Sequence, residues 1–125
     1  MNQLPAATKR MYALGRLKNG QMNKTEAAYA EHLERLKYEG EILWWKFEGM
    51  KFRLADNTFY TPDFAVLRSD GQLCLYEVKG FWRDDARVKI KVAADMYPVH
   101  FYAIKKGTKK DSWNWKYESF DSEKL

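Results

Sequence analysis

The chain has 125 residues, 46% of them hydrophobic and 16% aromatic, with 22 basic side chains against 17 acidic ones and a net charge of +5. A chain of this size and apolar content is expected to form one packed domain around one core rather than a disordered chain. No apolar run nears the roughly twenty residues that span a bilayer, the N-terminus lacks the apolar centre of a signal peptide, and the single Cys74 has no disulfide partner, so a cytoplasmic protein without a membrane partner is expected.

The excess charge sits at one end. Residues 1–25 carry Lys9, Arg10, Arg16, Lys18 and Lys24 and no acid, while the rest of the chain is balanced. Residues 1–22 read as a basic arm suited to DNA phosphates in any sequence, or alternatively as a solubilising tail, and residues 23–125 as the folded domain. Asn23 or Thr25 is placed to cap a helix that Gly40 stops near Glu39. Ala27, Ala30, Leu33 and Leu36 or Lys37 follow its apolar period, with Ala28 and Tyr29 widening the stripe. Asn23 and Glu26 have capping-box spacing, so composition alone makes Glu26 a capping residue. Glu31, further along the helix, is the other candidate site acid, and Glu34 and His32 read as surface residues.

Ile42 to Glu48, rich in aromatics, reads as a strand, followed by an extended piece from Met50 to Leu54 and a turn at Ala55-Asp56-Asn57. Trp44 and Trp45 point to opposite faces, so one is expected in the core and the other partly exposed.

Thr58 to Gly80 then forms two apolar runs joined by Ser69-Asp70-Gly71. A three-residue loop with Gly71 in the left-handed region pairs Arg68 with Gln72, Leu67 with Leu73, Ala65 with Leu75 and Asp63 with Glu77. A two-residue loop, Asp70-Gly71, would instead send the two acids to opposite faces. In the first register the carboxylates oppose each other, Lys79 shares their face, and the repulsion calls for a cation. A hard divalent ion such as magnesium suits such an oxygen site. The competing reading is a solvated face with an ordinary ion pair, but the acids extend a face that also carries Ala65, Leu73 and Leu75.

Asp84 or Asp85 is placed to cap a further helix, which Pro98 prevents from continuing beyond about Met96. Its buried stripe is expected at Val88, Val92 and Met96, with Ala93 beside them. Arg87, Lys91 and Lys89 are cations placed either to meet DNA phosphates or to be solvated. Val99 to Ile104 reads as a strand returning beside the hairpin, then comes a basic turn with Lys105, Lys106, Lys109 and Lys110. Trp113, Trp115 and Tyr117 alternate with polar residues as in an edge strand, and Asp121 to Leu125 are expected to fray. Neither His32 nor His100 has a partner at zinc spacing.

Pro62-Asp63 followed by Glu77-Val78-Lys79, on two successive strands between helices, resembles the motif of the PD-(D/E)XK nucleases of the restriction-endonuclease-like superfamily. From Asn23 to Tyr97 the chain is similar to small phage-encoded nucleases of that superfamily and, more distantly, to Holliday-junction resolvases. The resemblance implies an α/β fold, a restriction-endonuclease-like three-layer core with a mixed β-sheet flanked by helices and the acids at one sheet edge. It implies a magnesium-dependent DNA endonuclease, with manganese able to substitute. Asp63 and Glu77 would be metal ligands together with the Val78 carbonyl, Lys79 a catalytic cation and Glu26 a further active-site acid. Lys9, Arg10, Arg16, Lys18, Lys24, Arg87, Lys89 and Lys91 are the expected DNA contacts. Branched or recombining phage DNA in a bacterial cytoplasm is the implied substrate, and a homodimer the implied assembly. A nicking or strand-degrading nuclease and a non-catalytic DNA-binding module are the alternatives, with a phage-assembly protein more remote.

Overall fold

The structure is a computed structural model that describes residues 20–79 and 84–121. The arm cations Lys9, Arg10, Arg16 and Lys18, the segment 80–83 and the tail 122–125 lie outside the described residues. Helix α1 (Lys24–Tyr38) begins at Asn23, whose Oδ1 accepts the Glu26 N–H while Glu26 Oε1 accepts the Asn23 N–H, both at 2.8 Å. This is the capping box that the spacing implies. At the other end Gly40, at a φ of 82°, lets its own N–H reach Lys37 and that of Glu41 reach Leu36, the Schellman closure.

Strand β1 (Ile42–Phe47) leads to a separate two-stranded hairpin, β2 (Phe52–Ala55) and β3 (Thr58–Tyr60). Thr58 to Tyr60 therefore does not belong to the acid-bearing hairpin, as its apolar run suggested. The fully buried Pro62 fixes the backbone and removes a ladder donor where the chain leaves one sheet for the other. Strands β4 (Phe64–Arg68) and β5 (Leu73–Val78) follow, then helix α2 (Asp84–Met96), β6 (His100–Lys105), a single 3₁₀ turn at Lys109–Asp111, and β7 (Lys116–Ser119).

The main sheet has the order β1-β4-β5-β6-β7, with β5 and β6 parallel across the α2 connection and the other pairs antiparallel. It is a mixed sheet with a helix on each face, a three-layer α/β fold. Tyr29, Ala30 and Leu33 of α1 pack on Phe64, Val66, Cys74, Tyr76 and Val78, while Ile90, Ala93 and Ala94 of α2 pack on Ala65, Leu75 and Phe101 on the other face. The β2–β3 hairpin joins the α2 layer through Phe52 and Tyr60.

Several expectations are corrected here. In α2, Val88, Val92 and Met96 are 57%, 37% and 50% exposed; of the expected stripe Ala93 is buried, and Ile90 and Ala94 complete the buried row. In α1, Ala27 is exposed and Tyr29 is the main buried anchor. Trp45 packs against the core and Trp44 is the more exposed of the pair, as the alternation implies. The edge strand is shorter than the aromatic alternation suggests, because Ser112 and Trp113 sit at positive φ and turn the chain before β7. Asp121 is not frayed, since its carboxylate accepts the Phe101 N–H at 3.0 Å and contacts His100 Nδ1 at 2.6 Å. Among the described residues no helix is long and apolar enough to cross a membrane.

Candidate active site

Gly71 has a φ of 89°, and its N–H reaches the Arg68 carbonyl while the Arg68 N–H reaches that of Gln72. This closes the three-residue loop and sets Leu67 against Leu73 and Ala65 against Leu75. Continuing one step beyond Phe64 and Tyr76 brings Asp63 across from Glu77. The acids sit not at a lateral sheet edge but at one end of the two central strands, where Glu77 is flanked on its other side by Ala103. Asp63 is held from the β1 side too, its carbonyl accepting the Glu48 N–H at 2.7 Å.

The side chains interlock. Glu77 Oε1 accepts the Asp63 N–H and the Tyr60 hydroxyl, each at 3.2 Å, and Asp63 Oδ2 accepts the Val78 N–H at 2.8 Å. The Lys79 ammonium lies 3.2 Å from Glu77 Oε2, and its backbone N–H remains on β6 at the Ile104 carbonyl. Glu26 enters from the first turn of α1. Among the described residues the buried charged side chains are Glu26, Asp63 and Glu77. Charged groups are buried only against strong compensation, so the gathering of these three at one sheet end is the principal chemical feature of the molecule.

Their electrostatics agree with that crowding. Burial foremost, then the charges of Glu77 and Glu26, push the Asp63 carboxyl up to about 9. Burial also raises Glu77, against the lowering pull of Lys79 and of its hydrogen-bond donors. For Lys79 burial works downward, but Glu77, Asp63 and Glu26 outweigh it and the ammonium is raised. Lys79 is thus a cation at neutral pH in the metal-free protein.

Among the described residues no three His, Cys, Asp or Glu side chains converge to enclose a metal ion by themselves. The available donors are the carboxylates of Asp63 and Glu77 and the Val78 carbonyl. An all-oxygen set of one or two carboxylates, completed by water and phosphate, is how magnesium is usually held. The donor chemistry fits that ion, and the buried, mutually repelling acids supply a reason for a cation to bind.

The other expected residues are dispersed. Glu31 is exposed on α1, Glu34 accepts the Trp45 indole N–H at 2.6 Å, and His32 is half-buried against Tyr29 and Trp115. Lys24 is exposed at the start of α1. Arg87 forms a two-pronged pair with Glu118, at 3.1 and 2.6 Å, which lowers the Glu118 carboxyl, and the charge of Lys91 lowers it further. Lys89 alone of that group lines the cavity beside Glu77. Sequence reasoning missed Tyr60, whose approach to Glu77 depends on the separate β2–β3 hairpin and leaves no mark in strand spacing. Set against families of known proteins, curated proteins and solved structures, the chain matches none.

Proposed function

We propose that the protein is a divalent-metal-dependent deoxyribonuclease that hydrolyses phosphodiester bonds, a member of the PD-(D/E)XK nucleases. The observation that supports it most is the burial of Glu26, Asp63 and Glu77 together, with Lys79 paired to Glu77 on their exposed side. Asp63, Glu77 and the Val78 carbonyl would hold magnesium or manganese. Such an ion, when bound, lowers the pKa of a coordinated water and neutralises charge growing on the phosphate. Lys79, already cationic, orients the attacking water or faces the developing phosphate charge; a protonated ammonium is not a general base. Glu26 commits Oε1 to the Asn23 cap and adds its negative charge beside Asp63. Lys24, the arm cations and Lys89 supply contacts to the DNA backbone.

The substrate is branched or recombining DNA in this reading, and symmetric cleavage of two strands then requires a second copy of the chain. Magnesium incubated with the protein and matched four-way, Y-shaped, single-stranded and linear DNAs tests both activity and preference. Cleavage of the branched forms is the expected result. If calorimetry detects neither magnesium nor manganese binding, the alternative of a non-catalytic DNA-binding module replaces the enzyme.

A further inference from the structure

Beside Glu77, the β2–β3 hairpin and the first turns of α2 leave a cavity of about 280 Å³, walled by Phe59 and Tyr60 on one side and by Asp85 and Lys89 on the other. It falls just below the roughly 300–1,000 Å³ of pockets that enclose drug-sized ligands. A group the size of one nucleobase fits that space.

The walls differ in chemistry. Phe59 is 41% exposed although it is large and apolar, and the Lys51 ammonium sits 4.5 Å from its ring centroid. Its neighbour Tyr60 is buried and bonded to Glu77 Oε1, so the strand that carries Phe59 is tied directly to the candidate catalytic acid. Phe59 thus lines the cavity from a strand anchored next to Glu77. Glu77 and Asp85 line this space together with the Lys89 ammonium, and Glu77 is already paired with Lys79. An acceptor in Asp85 and a cation in Lys89 suit a neutral group with hydrogen-bond donors that carries a phosphate at its edge. A nucleobase has such donors on its amino edge, and an acidic side chain can accept from them.

We propose that this cavity seats one unpaired nucleotide of the substrate strand, its base stacked on Phe59, its amino edge toward Asp85 and its neighbouring phosphate against Lys89. The identification of the ligand as DNA rests on the nuclease reading. A base inside a duplex is already stacked on both sides and must be extruded before it can enter, so the cavity selects frayed, branched or single-stranded DNA. Phe59 is then a specificity residue, and the preference arises in binding rather than in chemistry.

The test is equilibrium binding, measured by fluorescence anisotropy in EDTA, of end-labelled DNAs of equal length: single-stranded, Y-shaped and fully paired. Wild-type protein is expected to prefer the first two. Phe59→Ala should weaken those two by about tenfold, the scale of one base–aromatic stack, and leave the duplex unchanged. Phe59→Trp should restore the preference, which a merely misfolded variant would not show. A 2-aminopurine at the unpaired position should change its fluorescence with wild-type protein and not with Phe59→Ala. Equal affinity of wild-type protein for all three DNAs, no measurable binding of the single strand, or a Phe59→Ala loss that is uniform or nil would each overturn the proposal. Because EDTA removes cleavage from the measurement, the two readings fail separately. Phe59-dependent selection without any magnesium-dependent cleavage overturns the nuclease, and cleavage with no role for Phe59 overturns the subsite.

Discussion

The main-chain N–H of Asp63 donates to Oε1 of Glu77 across 3.2 Å, and the Asp63 carboxylate accepts the N–H of the residue that follows Glu77 at 2.8 Å. Each acid grips the strand of the other, so their side chains are positioned by the sheet before any ligand arrives. Preorganisation by backbone and neighbouring donors is what a cation site on rigid elements requires. It also confines two carboxylates where their repulsion is strong and solvent is scarce.

Asp63→Asn should separate chemistry from folding. The amide oxygen can still accept the Val78 N–H, and a neutral side chain suits a site whose burial already raises the Asp63 carboxyl to about 9. The variant is expected to fold, to melt no lower than wild type and to bind DNA as before. Magnesium-dependent cleavage should fall at least about a hundredfold. Cleavage at the wild-type rate by purified Asp63→Asn protein would falsify the proposed role of this acid.

The raised Asp63 carboxyl makes a pH prediction with a definite sign. Between its ordinary pKa near 3.8 and its folded value of about 9, the unfolded chain has lost a proton that the folded chain retains. Stability of the metal-free protein from this group is therefore full below about pH 4 and declines as pH rises toward 9. Glu77, also raised, acts in the same direction. On the proposed metal role, magnesium taken up by the ionised carboxylates should offset the decline, increasingly at higher pH. Thermal midpoints from pH 5 to pH 9, with EDTA and with magnesium, should diverge as pH rises; parallel curves would contradict the assignment.

Tyr60→Phe removes the hydroxyl that donates to Glu77 Oε1 but keeps the ring near Phe101, 6.4 Å away between centroids. The expected loss is about 1 kcal/mol of stability from one buried hydrogen bond, measured by urea unfolding. Cleavage should fall as well, because Glu77 loses one of the donors that fix its orientation. A variant with wild-type stability and activity would mean that the hydroxyl does not position the acid.

Glu26 serves the α1 cap and the acid cluster at once, and two substitutions divide these roles. Glu26→Gln retains an oxygen for the Asn23 N–H and should keep stability within about 0.5 kcal/mol, while cleavage drops about tenfold. Glu26→Ala should lose about 1 kcal/mol in addition, the usual scale for a lost cap. Full activity in the glutamine variant would leave Glu26 as a capping residue only.

The parts legible in the chain are those written in local backbone chemistry. Gly71 at positive φ sets the loop length, the loop length sets parity, and parity puts Asp63 and Glu77 on one face. Asn23, Glu26 and Gly40 likewise announce both ends of α1. What stayed hidden depends on packing between segments distant in sequence. The approach of Tyr60 to Glu77 requires the β2–β3 hairpin to fold over the α2 face, and the pairing of Arg87 with Glu118 requires β7 to lie beside that helix. Neither follows from a period of two or of 3.6.

Helix α2 shows the same limit and yields the last test. It carries a Val88-Val92-Met96 row, with Ala93 at its side, and a second row of Ile90 and Ala94 that shares Ala93, and periodicity ranks the first higher because its side chains are larger. The sheet face chooses the second, whose two alanines let the helix approach Leu75 and Phe101 closely while Ile90 fills the gap. Ile90 is fully buried and Val88 is 57% exposed. Ile90→Ala should therefore cost about 2–5 kcal/mol through lost burial and the cavity left behind. Val88→Ala, a truncation on the exposed row, should stay within about 0.5 kcal/mol. Urea unfolding of the two variants measures both values. Equal losses, or a larger loss at Val88, would rotate the helix back to the orientation that its periodicity alone suggests and would carry Lys89 away from the cavity beside Glu77.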